Sequence, residues 1–443
     1  MFGEFQLVSL NQARFIFFPR KKRDRTADST SVERRDGGCN DRRNRSINRQ
    51  VRIKRERMIP TSTIGGPMEF TLRLIGVWPD SSYRFLMRVV WTTLMTTSQF
   101  LQYWYLLTHI GSDTLPNIMD SMSLCISNSL LFLKFILLWL NGRIIYDVFT
   151  TMAEDWNECA STRSKMQLMI SKAILSHRFS KCSIGAYTIV LILFSGSNII
   201  AERSAGIEQV VEEKQFIVKM KLPPECSVSP LYEIVMIVQF VLQFTSALVA
   251  GMLNAFIVTL ILHIAGQIDV MCHELLEIPV DEDKHDTRTV ALRSVVNRHQ
   301  RIIALADSIE NVFCYMALIQ FFSNMFVICF VGFVIITSFN SPGANAVLIK
   351  MIPYYAVVNL EAFILCFSGE YLSSKSKCIN RAAYNSIWYE LKPTESKILL
   401  LLIMRSQKEL TMTAGKFLDL SLEAFTSILK ASASYASVLH AMY

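Results

Sequence analysis

Charged residues are scarce in this sequence, and their scarcity excludes an ordinary soluble protein. Asp, Glu, Lys and Arg make up 19% of the 443 residues, whereas 51% are hydrophobic. A soluble chain of this length needs a larger polar surface to cover its core. The excess apolar surface must therefore face lipid, which predicts an all-α integral membrane protein.

Motifs for catalysis and for metal binding are also lacking. The sequence contains no phosphate-binding glycine loop, no HExxH, no G-x-S-x-G and no cysteine pair at zinc spacing. His263 and the run Cys272-His273-Glu274 are interpreted as packing or surface residues, since isolated His and Cys on a helix usually are. No enzyme activity, metal or cofactor is expected. Only Cys226 lies in a predicted outer loop, so a disulfide-linked ectodomain is not expected either.

Positive charge is concentrated at the N-terminus. Residues 1–57 hold 16 Lys and Arg against 7 Asp and Glu, a net +9, so the rest of the chain carries −1. Such a segment could bind anionic lipid or nucleic acid, but its composition favours a disordered cytoplasmic tail without a nucleic-acid partner. An alternative is that translation begins at Met58 or Met68.

Seven apolar stretches are long enough to cross a hydrocarbon core of roughly 30 Å as helices. The spans are predicted at residues 86–109, 118–140, 184–200, 231–264, 312–338, 346–372 and 415–443. Between spans four and five, charged residues alternate with helically spaced apolar ones, which predicts a cytosolic helical extension of both spans. The predicted regions are therefore the tail 1–57, spans one to four within 58–264, the extension 265–311, spans five and six within 312–372, a cytosolic region 373–414, and span seven within 415–443.

The distribution of Lys and Arg among the loops predicts the orientation, because basic residues near span ends stay on the cytoplasmic side. With the N-terminus inside, most basic loop residues lie inside, and the outer loops hold only Arg203, Lys214, Lys219 and Lys221. Seven spans then place the C-terminus outside. This orientation is the reverse of that of a G-protein-coupled receptor.

Ionisable residues within predicted spans need a partner or water, because inserting one costs about 2.5–3.5 kcal/mol. Lys134 and Glu361 are interpreted as a structural pair or as snorkelling side chains rather than as substrate contacts. The last span carries a polar stripe roughly 80° wide if it is helical throughout. The stripe could be buried within one bundle or could line an aqueous path between subunits; it consists of Asp419, Glu423, Thr426, Lys430, Ser434 and Ser437.

A ligand cavity is predicted between the outer halves of spans two, three, four and six. Aromatic and Met side chains suit small apolar ligands, although ordinary core packing explains the same residues. The candidate ligand-binding residues are Met122, Phe194, Met236, Phe240, Tyr354 and Tyr355.

The C-terminal third carries a series of short motifs with a characteristic order and spacing. These are Phe367-Ser368-Gly369-Glu370, Ala382-Ala383-Tyr384, Trp388-Tyr389, Gly415-Lys416-Phe417 and Ser434-Tyr435. On these motifs the chain resembles the insect odorant receptor family, and the run Arg73 to Pro79 looks like the start of such receptors in ants, bees and wasps. The resemblance covers the chain from about Met58 to Tyr443 and leaves the basic tail unmatched.

The resemblance implies an odorant-gated, non-selective cation channel in the plasma membrane, assembled as a tetramer with a common co-receptor. It implies that small volatiles or hydrocarbons are the ligands, that residues 373–414 anchor the subunits, and that span seven lines the pore with Val438 and Met442 at the gate. The co-receptor has a longer insertion between spans four and five, so this chain is expected to be a ligand-tuning subunit in olfactory neurons.

Two other classes remain as alternatives at this point. A gustatory receptor would end in a Thr-Tyr-apolar-Gln-Phe motif, which Ser434 to Tyr443 do not contain. A transporter would show internal repeats and broken helices, which the sequence does not display, and the loop charges oppose a G-protein-coupled receptor.

Overall fold

The computed structural model describes residues 62–78, 83–204, 216–279, 285–339, 344–386 and 388–443. The predicted basic tail lies outside the described residues, as do residues 205–215 between predicted spans three and four and residues 340–343 between predicted spans five and six.

The described residues form helices almost throughout, as the apolar runs predict. The helices in chain order are α1 Gly66–Leu74, α2 Arg84–His109, α3 Leu115–Leu140, α4 Gly142–Ala160, α5 Arg163–Ser204, α6 Leu231–Leu276, α7 His285–Ser338, α8 Ala344–Asn385, α9 Pro393–Ser406 and α10 Leu422–Met442. Short 3₁₀ turns occupy Pro224–Ser227 and Trp388–Glu390. Two-residue strands, β1 Thr413–Ala414 and β2 Leu418–Asp419, form an antiparallel hairpin before α10.

Five helical segments in the described part of the chain are long and apolar enough to cross a membrane. They are Leu115–Leu140, Arg163–Ser197, Leu231–Leu276, Thr287–Ser338 and Ala344–Glu390. The predicted first and seventh spans correspond to α2 and α10, which have 26 and 21 residues and are not among these five segments. At 1.5 Å per residue both reach about 30 Å or more. The total of seven spans and the orientation stay predictions.

Four helices are much longer than a bilayer requires. α5 and α8 have 42 residues each, α6 has 46 and α7 has 54. Lengths of about 60–80 Å exceed a hydrocarbon core of roughly 30 Å, so these helices also build the part of the protein beyond it. Residues 265–276 and 285–311 lie on α6 and α7, and their cytosolic location stays a prediction.

The central helix of the bundle is α6. Residues 251–268 of this helix are buried on every side, as expected for a helix that is apolar all round. α5, α7 and α8 pack against it. At one of its few polar positions, the fully buried His263 contacts Thr63 and Asp155 at 3.0 Å each. This contact explains the position of His263 without a metal.

Charged residues of the extension form ion pairs that join α4, α6 and α7. Arg298 donates to Glu158 and to Glu274, and Arg301 donates to Asp155 at 3.0 Å and to Glu158 at 2.7 Å. Such partners are what buried charges require. The charged residues of 265–311 therefore hold α4, α6 and α7 together.

Candidate ligand-binding and gating sites

The ends of α3, α5 and α8 that are predicted to lie toward the exterior bring polar and aromatic side chains together. Lys350 Nζ lies 2.6 Å from Asp120 Oδ2 and 4.8 Å from the ring centroid of Phe194. The ring of Tyr354 meets that of Phe194 edge-on at 6.2 Å, and its hydroxyl lies 2.7 Å from Ser127 Oγ. We call Asp120, Ser127, Phe194, Lys350 and Tyr354 the outer cluster. Lys350 and Tyr354 share a helix face because four residues separate them.

Three of the predicted ligand-binding residues belong to this region. Phe194 and Tyr354 lie in the outer cluster, and Met236 of α6 packs against the apolar group formed by Phe194, Ile217 and Val218. The structure thus brings together side chains from the predicted spans two, three, four and six. Whether they bind a ligand stays a prediction.

The other three predicted residues lie apart from this group. Phe240 is 39% exposed, because the inward face of α6 centres on Gln239 and Phe240 points about 100° away from it. Its ring stacks on that of Phe244. Tyr355 packs against α7, where its ring approaches Gly332. Met122 is half-buried and lies outside the hydrophobic clusters of the described residues. The structure does not include these three residues in the apolar group around Phe194, since sequence alone does not give helix rotation. Their part in ligand binding stays a prediction.

The segment 216–221 folds onto the end of the bundle that contains the outer cluster. Val218 is 2% exposed, and both its backbone polar groups bond to the Gln239 side chain at 3.3 Å. The amide of Lys221 donates to Leu101 O of α2 at 3.2 Å. This segment is therefore part of the packed wall around Phe194.

Two more charged residues lie near the outer cluster. Burial lowers the pKa of Lys219, and the charge of Lys350 acts in the same direction, while Asp120 and Asp113 act against both. Asp113 is partly desolvated, but hydrogen bonds from Asn117 and the Thr114 amide outweigh this effect and lower its pKa. In and around the outer cluster, the positive charges of Lys219 and Lys350 are therefore balanced by the carboxylates of Asp113 and Asp120.

A second polar group lies deeper in the bundle. Glu361 Oε1 accepts hydrogen bonds from Lys134 Nζ at 2.6 Å and from Gln320 Nε2 at 3.1 Å. Tyr187 donates to Glu361 Oε2 at 3.4 Å and accepts from Asn254 at 2.6 Å. This central network confirms the predicted Lys134–Glu361 pair. On each of α3, α5 and α8, the network residue lies seven positions from the nearest residue of the outer cluster, which is about 10 Å along the helix.

The last helix presents most of its polar residues away from its own bundle. Its buried face consists of Ala424, Ile428, Ser432 and Ala436 and packs mainly against α7, where Ser432 Oγ donates to Met325 O at 3.0 Å. The predicted gate residues are open to the outside of the protomer, Val438 at 53% and Met442 at 81% exposure. The rest of the outward surface includes the predicted stripe residues Glu423, Thr426, Lys430, Ser434 and Ser437. Burial of the stripe within one bundle is thus excluded.

The predicted stripe is wrong at one position. Asp419 lies in β2, before the helix, and does not continue the helical face. The helix begins at Leu422, and the side chain of Ser421 caps it by accepting a hydrogen bond from the Ala424 amide at 3.1 Å. The positive φ angles of Gly415 and Lys416, 67° and 65°, reverse the chain into the hairpin before that point.

Comparison with known proteins identifies the family. The sequence model of the family described as 7tm Odorant receptor matches residues 114–433 of this chain, which is well over half of its length. The chain belongs to the 7tm odorant receptor family. It is an insect odorant receptor and a multi-pass membrane protein, not an enzyme.

Relatives of this odorant receptor are distant in sequence. Odorant receptor 10 of Aedes albopictus is 28% identical over 217 residues, which are 48% of this chain and 57% of that protein. Odorant receptor 85b of Drosophila melanogaster is 28% identical over 160 residues, 36% and 40% of the two chains. The chain thus spans about half of the curated relatives' lengths.

A solved structure supports the fold of the odorant receptor. The insect olfactory receptor OR5 from Machilis hrabei, determined in complex with eugenol, superposes with a TM-score of 0.70 at 14% identity. The superposition covers 85% of this chain and 97% of that chain. At this identity the likeness shows the shared fold alone.

The motifs of the C-terminal third occupy close contacts in this odorant receptor. A Cβ at Gly369 would lie 2.4 Å from the carbonyl oxygen of Leu420, so α8 approaches the hairpin through a glycine. A Cβ at Gly415 would lie 2.7 Å from the Phe417 ring. Thr413 of the same hairpin donates to Glu310 of α7 at 2.8 Å. These glycines let the hairpin dock on α7 and α8 and position the start of α10.

Sequence reasoning missed the charged part of the outer cluster of the odorant receptor. Asp120 and Lys350 both lie within predicted spans, and the criterion that singled out Lys134 and Glu361 applies equally to them. Gln239, which holds Val218, carries no comparable signal, since an amide within an apolar run has many possible roles.

Proposed function

We propose that the chain is the ligand-tuning subunit of an odorant-gated, non-selective cation channel, formed as a hetero-tetramer with the common co-receptor in the plasma membrane of olfactory neurons. The observation that carries the proposal is the outward surface of α10. Polar residues and the exposed Val438 and Met442 face away from the bundle. A membrane helix with such a surface requires water or a neighbouring subunit against it.

The ligand site is the region between the outer cluster and Met236. Phe194, Tyr354 and Met236 provide the aromatic and polarisable contacts that suit small volatiles and hydrocarbons. Segment 216–221 closes the outer end of this region. The Machilis hrabei receptor, which shares the fold, was determined in complex with eugenol, and this supports a small molecule as the ligand.

Two helices connect the ligand site to the gate. α8 carries Tyr354 and, two turns further, Glu361, which accepts a hydrogen bond from Gln320 of α7. About one turn beyond Gln320, Met325 accepts the hydrogen bond from Ser432 of α10. A ligand that binds the open arrangement more tightly than the closed one shifts the population toward the open gate.

Subunit contacts involve the region 373–414, which provides the anchor. Leu401 and Met404 of α9 are 65% and 66% exposed, and Tyr384 and Tyr389 are exposed nearby along the chain. Contiguous apolar exposure on one short helix is typical of a protein–protein interface. The exposed Phe100 and Trp104 of α2 are assigned to contacts with membrane lipid.

Electrical recording tests this function. The chain is expressed with and without the co-receptor, and cation current is measured while a panel of volatiles and cuticular hydrocarbons is applied. Ligand-evoked current that requires both chains supports the proposal. Surface-expressed protein that yields no current with any volatile refutes it, and antibody access to an N-terminal tag on intact cells refutes the orientation.

A further inference from the structure

One oxygen of the outer cluster has no hydrogen-bond partner. Asp120 Oδ2 pairs with Lys350, but Asp120 Oδ1 is buried and accepts no hydrogen bond from the residues that the structure describes. The Asp120 side chain is 10% exposed. Buried polar atoms almost always have partners, so this carboxylate oxygen marks a place where a donor is missing.

The surroundings of Asp120 match an odorant with a polar end and an apolar body. Lys350, which pairs with Asp120, also lies over the ring of Phe194. The ring of Tyr354 meets Phe194, and Met236 packs on the same apolar group. A carbon skeleton against these side chains leaves its polar end beside Asp120.

We propose that the odorants recognised by this chain are alcohols or phenols whose hydroxyl group donates a hydrogen bond to Asp120 Oδ1. This inference rests on the proposed function and names its ligand class. The ion pair with Lys350 holds the carboxylate in place, so the acceptor is preorganised. Hydrogen bonds to charged groups are stronger than those between neutral groups.

Other ligand classes fit the group less well. Aldehydes, ketones, esters and ethers offer acceptors only and cannot satisfy Oδ1. An ammonium group would donate, but Lys350 and Lys219 already place two cations near Asp120, and a third cation would be repelled. A neutral hydroxyl group satisfies the oxygen without adding charge.

Matched ligand pairs test the inference in the receptor expressed with its co-receptor. Linear primary alcohols and substituted phenols are each paired with their methyl ethers, which keep the skeleton and lose the donor. Within active pairs we expect the alcohol to be about tenfold to a hundredfold more potent in evoking current. Stabilisation of the purified complex against heat by the same pairs gives a second readout that does not depend on gating.

Three variants locate the effect. Asp120→Asn keeps a weaker, neutral acceptor and should reduce the alcohol preference. Asp120→Leu combined with Lys350→Met removes the acceptor and its partner together, which a buried pair often tolerates, and should abolish the preference while ether responses remain. Asp113→Asn is the matched control, because both carboxylate oxygens of Asp113 already accept hydrogen bonds.

Each outcome has one meaning. Equal potency and equal stabilisation by alcohols and ethers in the natural chain, as expected if a bound water satisfies Oδ1, overturn the inference. So does an alcohol preference that survives in the double variant. Alcohol-specific stabilisation without any current supports the inference and refutes the channel function, whereas no current and no stabilisation by any pair refute both.

Discussion

Lys134 and Glu361 form an ion pair with 2.6 Å between Nζ and Oε1, and this pair joins α3 to α8 in the interior of the bundle. The two side chains are 5% and 12% exposed, and Gln320 donates to the same carboxylate oxygen. The contact therefore connects three helices. Two of them, α7 and α8, pack against α10, which carries the predicted gate.

Removing one partner of this pair should destabilise the receptor strongly. Lys134→Met leaves the Glu361 charge uncompensated, so we expect the free energy of unfolding to fall by about 3–5 kcal/mol. Lys134→Met combined with Glu361→Gln should lose less, because the amide oxygen still accepts from Gln320. Thermal stability of the purified complex measures both. A single variant as stable as the natural chain would contradict the interpretation.

Adding a methyl group at Gly369 should displace the hairpin that precedes α10. The new Cβ would meet the Leu420 backbone at 2.4 Å, and such overpacking costs about 1–3 kcal/mol. We expect Gly369→Ala to lower ligand-evoked current per receptor at the cell surface. Gly185→Ala is the matched control, since no atom beyond its own turn of helix lies within 4 Å of its added Cβ. If both variants lose the same amount of current, the close contact at Gly369 is not the cause.

The two faces of α10 should respond differently to substitution. Val438 is exposed, so Val438→Ser should leave stability within about 0.5 kcal/mol and raise the basal current by weakening the hydrophobic gate. Ile428 is buried against α7, so Ile428→Ala should cost about 2–5 kcal/mol and reduce surface expression. Current and surface labelling are recorded together. An unchanged basal current in Val438→Ser would argue against the gate assignment.

The exposed face of α9 should matter for assembly but not for folding of the protomer. Leu401→Glu places a charge on the proposed interface, and we expect recovery of the co-receptor in affinity purification to fall at least about tenfold. Gln407→Glu adds the same charge at an exposed polar position nearby and serves as the control. Normal co-purification of Leu401→Glu would place the interface elsewhere.

The last region of the chain shows what local sequence patterns can predict and what they cannot. Its polar stripe was predicted by assuming one helix from Asp419 onward, and the structure begins the helix at Leu422. The sequence predicted a boundary at residue 415, but not the hairpin, because the strands contain only two residues each. For the remaining stripe residues the sequence left burial and exposure open. The structure shows that the stripe is exposed, because the opposite face of the helix packs against the bundle through Ala424, Ile428, Ser432 and Ala436.

The ligand-binding prediction shows the same limit. Phe194 and Tyr354 could be proposed from their residue types and depth in the spans, and the structure brings them together. Phe240 satisfied the same criteria and faces away. Depth follows from position along a span, whereas facing depends on how each helix is rotated against its neighbours.

The sequence by itself determined that this chain is helical, embedded in a membrane and related to the odorant receptors, because apolar runs, helical periodicity and short motifs are local properties. Only the tertiary structure decided which side chains meet. Lys350 reaches Asp120 across 230 residues of chain, and Glu361 gathers partners from three other helices. Such contacts depend on the height and rotation of helices relative to each other, which local sequence patterns do not encode.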